Sequence, residues 1–314
     1  MTPTGTTSQT GSSRPSPRNS ADGGQDLAET PGECYSRLLR ESAAPHPPAE
    51  HPPMKSKPGM LDRLRVSVAE RALDFSYGVR SLFYRGEELY CPCCEREYNR
   101  FMSYGGREQC LCPGCRSFER HRLMWLYIER RTRLLEAPHR VLHVAPEYAI
   151  QKNLRRRDTL DMYRSVDLRS MLALDQADVA NLPYEAASFT AILCSHVLEH
   201  VDADRAAMRE LYRVLEPGGW AYLQVPIDLG REDTYDDPSI TEPEARDRAF
   251  GHPDHVRLYG RDYLDRLEGA GFDPHVDSFA RDLSEATIDR LRLFPDEDIF
   301  IASRPDDSDS SPGR

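Results

Sequence analysis

Six cysteines lie between residues 91 and 115, and their spacing constrains the fold more than any other feature of the sequence. Cys91 and Cys94 form one C-x2-C pair, Cys112 and Cys115 form another, and 17 residues separate the two pairs. This pattern is typical of a tetrahedral Zn²⁺ site with four thiolate ligands. Because four cysteines leave no open coordination position, we predict a zinc ribbon in which the metal is structural.

Disulfide bonds are the alternative interpretation of these cysteines, and Cys93 and Cys110 also lie within the cluster. A reducing compartment disfavours disulfides. The sequence has no run of about 18 apolar residues that would span a bilayer and no apolar N-terminal stretch typical of a secretory signal. We therefore predict a cytoplasmic protein without membrane association, in which the cysteines bind zinc.

The formal net charge of −11 argues against a general nucleic-acid-binding protein, because neutralising phosphates requires a cationic surface. Arginine supplies nearly all of the positive charge, a bias typical of a GC-rich bacterial genome. A local basic face for RNA remains an alternative at Arg116, Arg120, Arg122 and residues 155–157. The simpler role of the arginines near the ribbon is to compensate the negative charge of the thiolates.

Composition divides the chain into four segments. Residues 1–57 are rich in Ser, Thr, Pro and Gly, residues 305–314 are rich in Asp and Ser, and both are predicted to be disordered tails. Residues 58–136 are predicted to form a helix, the ribbon and a linking helix, and residues 137–304 a second domain.

Local signals predict the boundaries of elements in the ribbon. Gly105 and Gly106 are typical of a hairpin turn between two short strands. Ser117 is predicted to be the N-cap of a helix from about 118 to 136. This helix is predicted to dock the ribbon onto the second domain.

From residue 140 onwards, short apolar strands alternate with helices. An amphipathic helix is predicted in DADRAAMRELYRVLEPGG, with Asp202 as its cap and Pro217 to Gly219 as its stop. Alternation of this kind predicts an α/β fold with a Rossmann-like, doubly wound and mostly parallel sheet. Ligands of such sheets bind outside the carboxyl ends of the strands.

Residues 178–226 resemble the class I S-adenosylmethionine-dependent methyltransferases (methyltransferase type 11-like) in their fourth strand, HVLEH segment and EPGG turn. The wider chain resembles a subgroup with an N-terminal zinc ribbon. The shared motifs are S-x-E-R-H-R at 117–122, L-H-x-A-P-E at 142–147, D-H-V-R-x-Y-G at 254–260 and D-E-D-I-F at 296–300. The resemblance implies a methyltransferase fold, an enzymatic activity and S-adenosylmethionine as cofactor.

The resemblance also implies which residues surround the cofactor. Asp167 is expected to accept hydrogen bonds from the ribose hydroxyls, Asp178 and the backbone of Val179 to contact adenine, and Ser195 to lie beside the methionine portion. The implied cofactor-binding residues are His143, Ala145, Pro146, Glu147, Asp167, Leu168, Asp178, Val179, Ser195 and His196.

The first loop departs from the family pattern. Most relatives have a glycine-rich E/D-x-G-x-G there, whereas this chain has His143 to Glu147 without a glycine. The backbone therefore has less freedom to approach a cofactor. A third interpretation of the chain, a non-catalytic binding module, follows from this departure.

Methyl transfer is an in-line displacement, so a methyltransferase mainly positions the acceptor and, where needed, removes a proton. The candidate bases are His196, Glu199, His200 and His255, and we predict His196 and His255 to be catalytic. Glu199 and His200 alternatively orient their loop.

A substrate-covering element is predicted after the fifth strand, where a hydrogen-bonded lid without substrate contact is the alternative. Its predicted residues are Tyr235, Asp236, Asp254, Arg257 and Tyr259. The insertion at 228–251 is acidic and forms either a solvated flap or a wall of the acceptor pocket. As a wall, it would favour a cationic or neutral acceptor.

The predicted function is methyl transfer to an O, N or C nucleophile of a small molecule, in secondary metabolism. Methylation of RNA or the ribosome, with the ribbon as docking face, is the main alternative.

Overall fold

The computed structural model describes residues 59–306. The predicted tails lie outside the described residues, apart from Pro305 and Asp306. Within the described range, no helix has the length and apolar composition needed to cross a bilayer.

The N-terminal part contains one long helix and two small antiparallel hairpins that carry the cysteines. Strand β1 pairs with β2, and β3 pairs with β4 across the predicted Gly105-Gly106 turn. A second helix follows the last cysteine. The elements are α1 (Met60–Ser81), β1 (Arg85–Cys91), β2 (Arg96–Tyr98), β3 (Met102–Tyr104), β4 (Arg107–Leu111) and α2 (Glu119–Arg131).

The remaining residues form the central sheet, its helices and a separate two-stranded sheet, β10 with β11, in the segment predicted to be a lid. The elements in chain order are β5 (Arg140–Val144), α3 (Tyr148–Arg155), β6 (Met162–Asp167), β7 (Asp175–Gln176), β8 (Phe189–Ser195), α4 (Asp204–Val214), β9 (Leu215–Gln224), β10 (Tyr235–Asp236), α5 (Pro243–Phe250), β11 (Arg257–Leu258), α6 (Tyr263–Glu268), β12 (Asp273–Asp277), α7 (Glu285–Leu291) and β13 (Ile299–Ser303).

The central sheet has seven strands in the order β12-β13-β9-β8-β5-β6-β7. Pairs between β5, β6, β7, β8 and β9 are parallel, and β13 is antiparallel to both of its neighbours. This topology confirms the predicted mostly parallel, doubly wound α/β sheet. Because the chain moves outward in opposite directions from β5 and β8, the topological switch point lies between them, where such folds bind ligands.

Two hydrophobic clusters cover the two faces of the sheet. In β5, Val141 belongs to one cluster and Leu142 to the other, and in β8 Leu193 and Ile192 divide in the same way, as the two-residue period of a strand requires. The first cluster continues into α2, whose residues 121–128 are all buried. The ribbon and the sheet therefore share one core through α2.

Two predicted helix boundaries were wrong. Helix α2 has Phe118, not Ser117, at its N-cap, because the Ser117 hydroxyl contacts the Cys91 and Cys115 sulfurs instead. Helix α4 has Ala203, not Asp202, at its N-cap.

The predicted stop of helix α4 was also wrong. The helix ends at Val214, and Pro217 to Gly219 already belong to β9. The Gly218 N–H donates to the Arg304 carbonyl at 2.8 Å, and the Arg304 N–H donates to the Gly219 carbonyl at 3.0 Å. This long-range pairing holds the segment in the sheet.

Candidate functional site

The structure brings Cys91, Cys94, Cys112 and Cys115 together, with all four sulfurs within 4.8 Å of one another. The Cys91 and Cys115 sulfurs are 3.6 Å apart, and those of Cys94 and Cys112 are 3.7 Å apart. Four sulfurs at about 2.3 Å from a tetrahedral Zn²⁺ are separated by about 3.8 Å. The donor set and its spacing therefore fit a zinc ion, and the thiols are not joined as disulfides.

The two spare cysteines point away from this cluster. The Cys93 thiol lies 3.6 Å from the His121 carbonyl, and the Cys110 thiol lies 3.5 Å from the Arg107 carbonyl. The geometry thus distinguishes the four candidate ligands from the two spares, which the spacing alone could not do.

Arg122 connects the ribbon to the far end of the chain. Its guanidinium is fully buried and donates to the carbonyls of Cys110 and Ser117 on the ribbon side. It also donates to the carbonyls of Leu291 and Arg292 at the end of α7. Arg122 is therefore occupied by backbone carbonyls and is not part of an exposed basic face.

The loops after β5 and β8 meet at the switch point, and each contains a non-glycine residue with positive φ. Ala145 has φ +47° and His196 has φ +55°. The Ala145 N–H donates to the Val166 carbonyl, and the His196 N–H donates to the Gln224 carbonyl. Ala145 therefore adopts the left-handed conformation that a glycine would adopt at lower cost.

His143 and Glu147 stabilise the first loop through hydrogen bonds of their side chains. The buried His143 ring contacts Glu147 Oε2 at 2.7 Å and the Tyr163 hydroxyl at 2.9 Å. Burial favours the neutral form of Glu147, but the His143 hydrogen bond outweighs it and lowers the pKa of Glu147 to about 2. Both ring nitrogens of His143 are thus engaged, and its side chain positions the loop instead of facing a ligand.

The other predicted cofactor residues lie at the carboxyl edge of the sheet. Asp167, at the tip of β6, accepts hydrogen bonds from the backbone N–H groups of Arg169 and Ser170. Leu168 and Asp178 are exposed, whereas Val179 and Ser195 are buried. Pro146 lies next to Ala145 in the first loop. The fold therefore collects all of these positions on the edge that contains the switch point.

Glu297 interacts electrostatically with both His196 and Arg120, two charges that the sequence alone did not connect with it. Arg120 comes from α2 and Glu297 from the loop before β13. Arg120 Nε and Glu297 Oε2 are buried and have no hydrogen-bond partner within residues 59–306. Burial raises the pKa of Glu297, while His196 and Arg120 act in the opposite direction. Both residues belong to motifs noted in the sequence, Arg120 to S-x-E-R-H-R and Glu297 to D-E-D-I-F. These motifs were the sequence signal that could have pointed to the two residues.

His121, next to Arg120 on α2, lies close to Glu147 of the first loop. Its Nε2 lies 4.0 Å from Glu147 Oε1. Burial lowers the pKa of His121 to about 3, so this ring is neutral near pH 7.

The loop after His196 is held by the lid strand β11. Arg257 donates to the carbonyls of Leu198, Val201 and Asp202, and the Tyr259 hydroxyl lies 3.1 Å from Asp204 Oδ2. Both side chains are buried. The contacts agree with the alternative in which these residues form a hydrogen-bonded lid.

The acidic insertion presents most of its charge to solvent. Glu232, Asp233 and Asp236 are exposed, and Asp237 binds the hydroxyl of Ser239. Tyr235 packs against Phe250 at the base of the lid. These contacts favour the solvated flap over the acidic pocket wall.

Residues 134–223 match the family model described as a methyltransferase domain. A search of curated proteins found no match. Among solved structures, an S-adenosylmethionine dependent methyltransferase from Mesorhizobium loti is 19% identical, with 57% of this chain and 97% of that chain covered and a TM-score of 0.42. The [4+2]-cyclase SpnF is 17% identical, with 81% and 98% covered and a TM-score of 0.41. Phosphoethanolamine N-methyltransferase 2 of Haemonchus contortus, in complex with S-adenosyl-L-methionine, is 17% identical, with 57% and 52% covered and a TM-score of 0.38.

Proposed function

We propose that this chain, whose residues 134–223 match a methyltransferase domain, is a class I S-adenosylmethionine-dependent methyltransferase that methylates an O, N or C nucleophile of a small molecule. Bound S-adenosylmethionine supplies an activated methyl group, so the protein has to position the acceptor and accept its proton. In this proposal Asp167 binds the ribose, Asp178 and Val179 the adenine, and Ser195 the methionine portion.

One unpaired buried atom on each of Arg120 and Glu297 carries the proposal of a small acceptor. The Arg120 guanidinium otherwise stacks 4.9 Å from the centroid of the Phe118 ring. A buried donor or acceptor without a hydrogen bond costs about 1–3 kcal/mol, and more when it is charged. Two such atoms on interacting residues, one of which also interacts with His196, are expected where a polar ligand completes their hydrogen bonds. We propose that the acceptor binds between these two residues, with His196 as the base that receives its proton.

The contacts of the arginines that RNA docking would need favour a small-molecule acceptor over RNA. Arg122 is fully buried, Arg120 has a buried Nε and stacks over the Phe118 ring, and Arg155 pairs with Glu70 at 2.8 Å. These contacts remove three of the six arginines considered for an RNA-docking face. Together with the net charge of −11, they favour a compact acceptor over a polyanion.

We further propose that the four clustered cysteines bind a structural Zn²⁺ and that the enzyme acts in the bacterial cytoplasm, in secondary metabolism. The proposal for zinc is supported by the sulfur spacing, and that for the compartment by the reduced thiols that a zinc site requires. The boundary between ribbon and methyltransferase domains near residue 136 is part of the same proposal.

The substitution Asp167→Asn tests the cofactor site. We expect the affinity for S-adenosylhomocysteine to fall about 10- to 100-fold, because hydrogen bonds to a charged acceptor contribute about 1.5–3 kcal/mol. The amide of the introduced asparagine retains an oxygen that accepts the turn N–H groups, so the loop is preserved. Calorimetry measures the affinity, with exposed Asp158→Ala as control. If the unaltered protein does not bind S-adenosylhomocysteine, the interpretation of the chain as a non-catalytic binding module is the one that remains.

Exchange of Arg120 for Met tests the acceptor site. We incubate the protein and methyl-labelled S-adenosylmethionine with a small-molecule extract and, separately, with total RNA. Label is expected in the small-molecule fraction, and Arg120→Met is expected to reduce it more than about tenfold while S-adenosylhomocysteine still binds. Label in RNA alone would support the alternative function.

A further inference from the structure

A second group of potential metal ligands lies in the turn after β8 and in the loop before β11. It consists of Glu199, His200 and His255. One ligand atom of each residue lies within 4.8 Å of those of the other two. The residues are not part of the cysteine cluster, and only Glu199 contacts the acceptor site proposed above, through His196.

The hydrogen bonds of the two imidazoles define their tautomers. His200 Nδ1 lies 3.0 Å from the Asp254 carbonyl, and His255 Nδ1 lies 3.1 Å from the Phe250 carbonyl. A carbonyl oxygen only accepts hydrogen bonds, so each Nδ1 carries the proton and each Nε2 keeps its lone pair. Metal-binding histidines are oriented in this way by a carbonyl or carboxylate at the second nitrogen.

The carboxylate of Glu199 is inaccessible to solvent and only half satisfied. The whole residue is 0% exposed. Its Oε1 contacts His196 Nδ1 at 3.1 Å, whereas Oε2 has no hydrogen-bond partner within residues 59–306. A buried carboxylate oxygen without a partner is costly, and a cation beside it would remove that cost.

We propose that Glu199, His200 and His255 bind a first-row divalent cation. Two imidazoles and one carboxylate suit Zn²⁺, Fe²⁺, Co²⁺ or Mn²⁺, and three ligands leave positions open for water or another oxygen ligand. Bonds of about 2.0–2.2 Å place two ligands at most about 4.4 Å apart. Because the His200 side chain is exposed, a small rotation about its side-chain bonds closes the remaining gap.

His252 provides a matched control within the same cluster. Its ring lies 6.0 Å from that of His200 and 4.9 Å from that of His255, measured between centroids. The Asp254 N–H donates to His252 Nδ1 at 3.2 Å, so the proton of this ring is on Nε2. In that tautomer neither nitrogen is free to bind a metal, and His252 is excluded from the ligand set.

The test is titration of Co²⁺ into the full-length protein after one equivalent of Zn²⁺ per chain has been added, which fills the four-thiolate site and leaves the histidine site free. Calorimetry is expected to give one further site per chain, and the absorption spectrum is expected to lack the intense thiolate-to-cobalt bands of a cysteine site. His200→Ala and His255→Ala are each expected to weaken Co²⁺ binding by more than about tenfold, since even partners outside the ligand shell contribute 10- to 100-fold. His252→Ala is expected to retain the affinity.

Several results would overturn the proposal. One is the absence of a second cobalt site, which would leave a histidine cluster that only holds the lid. Another is a cobalt site whose affinity His200→Ala does not change. Because His200 is exposed, this variant is expected to fold, and its melting temperature checks that it does. Equal loss in His252→Ala would refute the ligand assignment. The titration needs no methyl donor or acceptor, so its outcome is independent of the proposed methyl transfer.

Discussion

Replacement of Arg122 by alanine is expected to lower the free energy of unfolding by about 3–5 kcal/mol. The side chain is fully buried and donates to four carbonyls, two in the ribbon and two after α7. Its guanidinium also lies 4.5 Å from the centroid of the Phe101 ring. The alanine variant loses these contacts and leaves the carbonyls in a site that water reaches poorly.

Urea denaturation followed by circular dichroism measures this loss. Arg130→Ala is the matched control, because Arg130 is an exposed arginine of the same helix, and its effect is expected to stay within about 0.5 kcal/mol. Arg122→Lys is expected to recover only a small part of the stability, since an ammonium group cannot reproduce the fork of five donors. Equal stability of the alanine variants at 122 and 130 would contradict the assigned role.

The strands of the central sheet were predictable because their signal is local. The segments around β5, β8 and β9 are short apolar runs bounded by polar residues, and their alternation with helices allows few topologies. The cysteine hooks were equally informative, because a metal site requires a fixed spacing of ligands. In both cases the constraint lies within about 20 residues of chain.

The errors arose where a distant segment provides the partner. Ser117 has the chemistry of an N-cap, but its hydroxyl is bound by two cysteine sulfurs of the ribbon. The Pro217 to Gly219 segment has the chemistry of a helix stop, yet it pairs with Arg304. Local propensity competes with such tertiary contacts and does not reveal them.

The polar part of the candidate site was the least predictable. Arg120 and Glu297 are 177 positions apart in the sequence, and only the tertiary fold brings Glu297 within electrostatic range of both Arg120 and His196. The single sequence could mark their motifs but not their proximity. The two tautomers of the histidine cluster likewise depend on carbonyl positions that a sequence does not contain.

Exchange of Cys94 for serine is expected to remove the zinc and unfold the ribbon. A small ribbon buries too little apolar surface to fold alone, and structural Zn²⁺ contributes about 10–16 kcal/mol in isolated zinc-finger peptides. Because Cys91 and Cys115 also belong to the core that α2 shares with the sheet, the damage is expected to reach the methyltransferase domain. Metal analysis and near-ultraviolet circular dichroism, with melting temperature, measure the effect.

Cys93→Ser is the control that separates the metal from the mere presence of a thiol. Cys93 lies one position away, but its sulfur points to the His121 carbonyl and a serine hydroxyl can donate the same hydrogen bond. This variant is expected to keep one zinc per chain and to melt within a few degrees of the unaltered protein. If Cys94→Ser and Cys93→Ser lose zinc equally, the ligand set is wrong. If Cys94→Ser retains both zinc and fold, the four cysteines are a packed thiol cluster and the ribbon is stabilised by α2 and Arg122 instead.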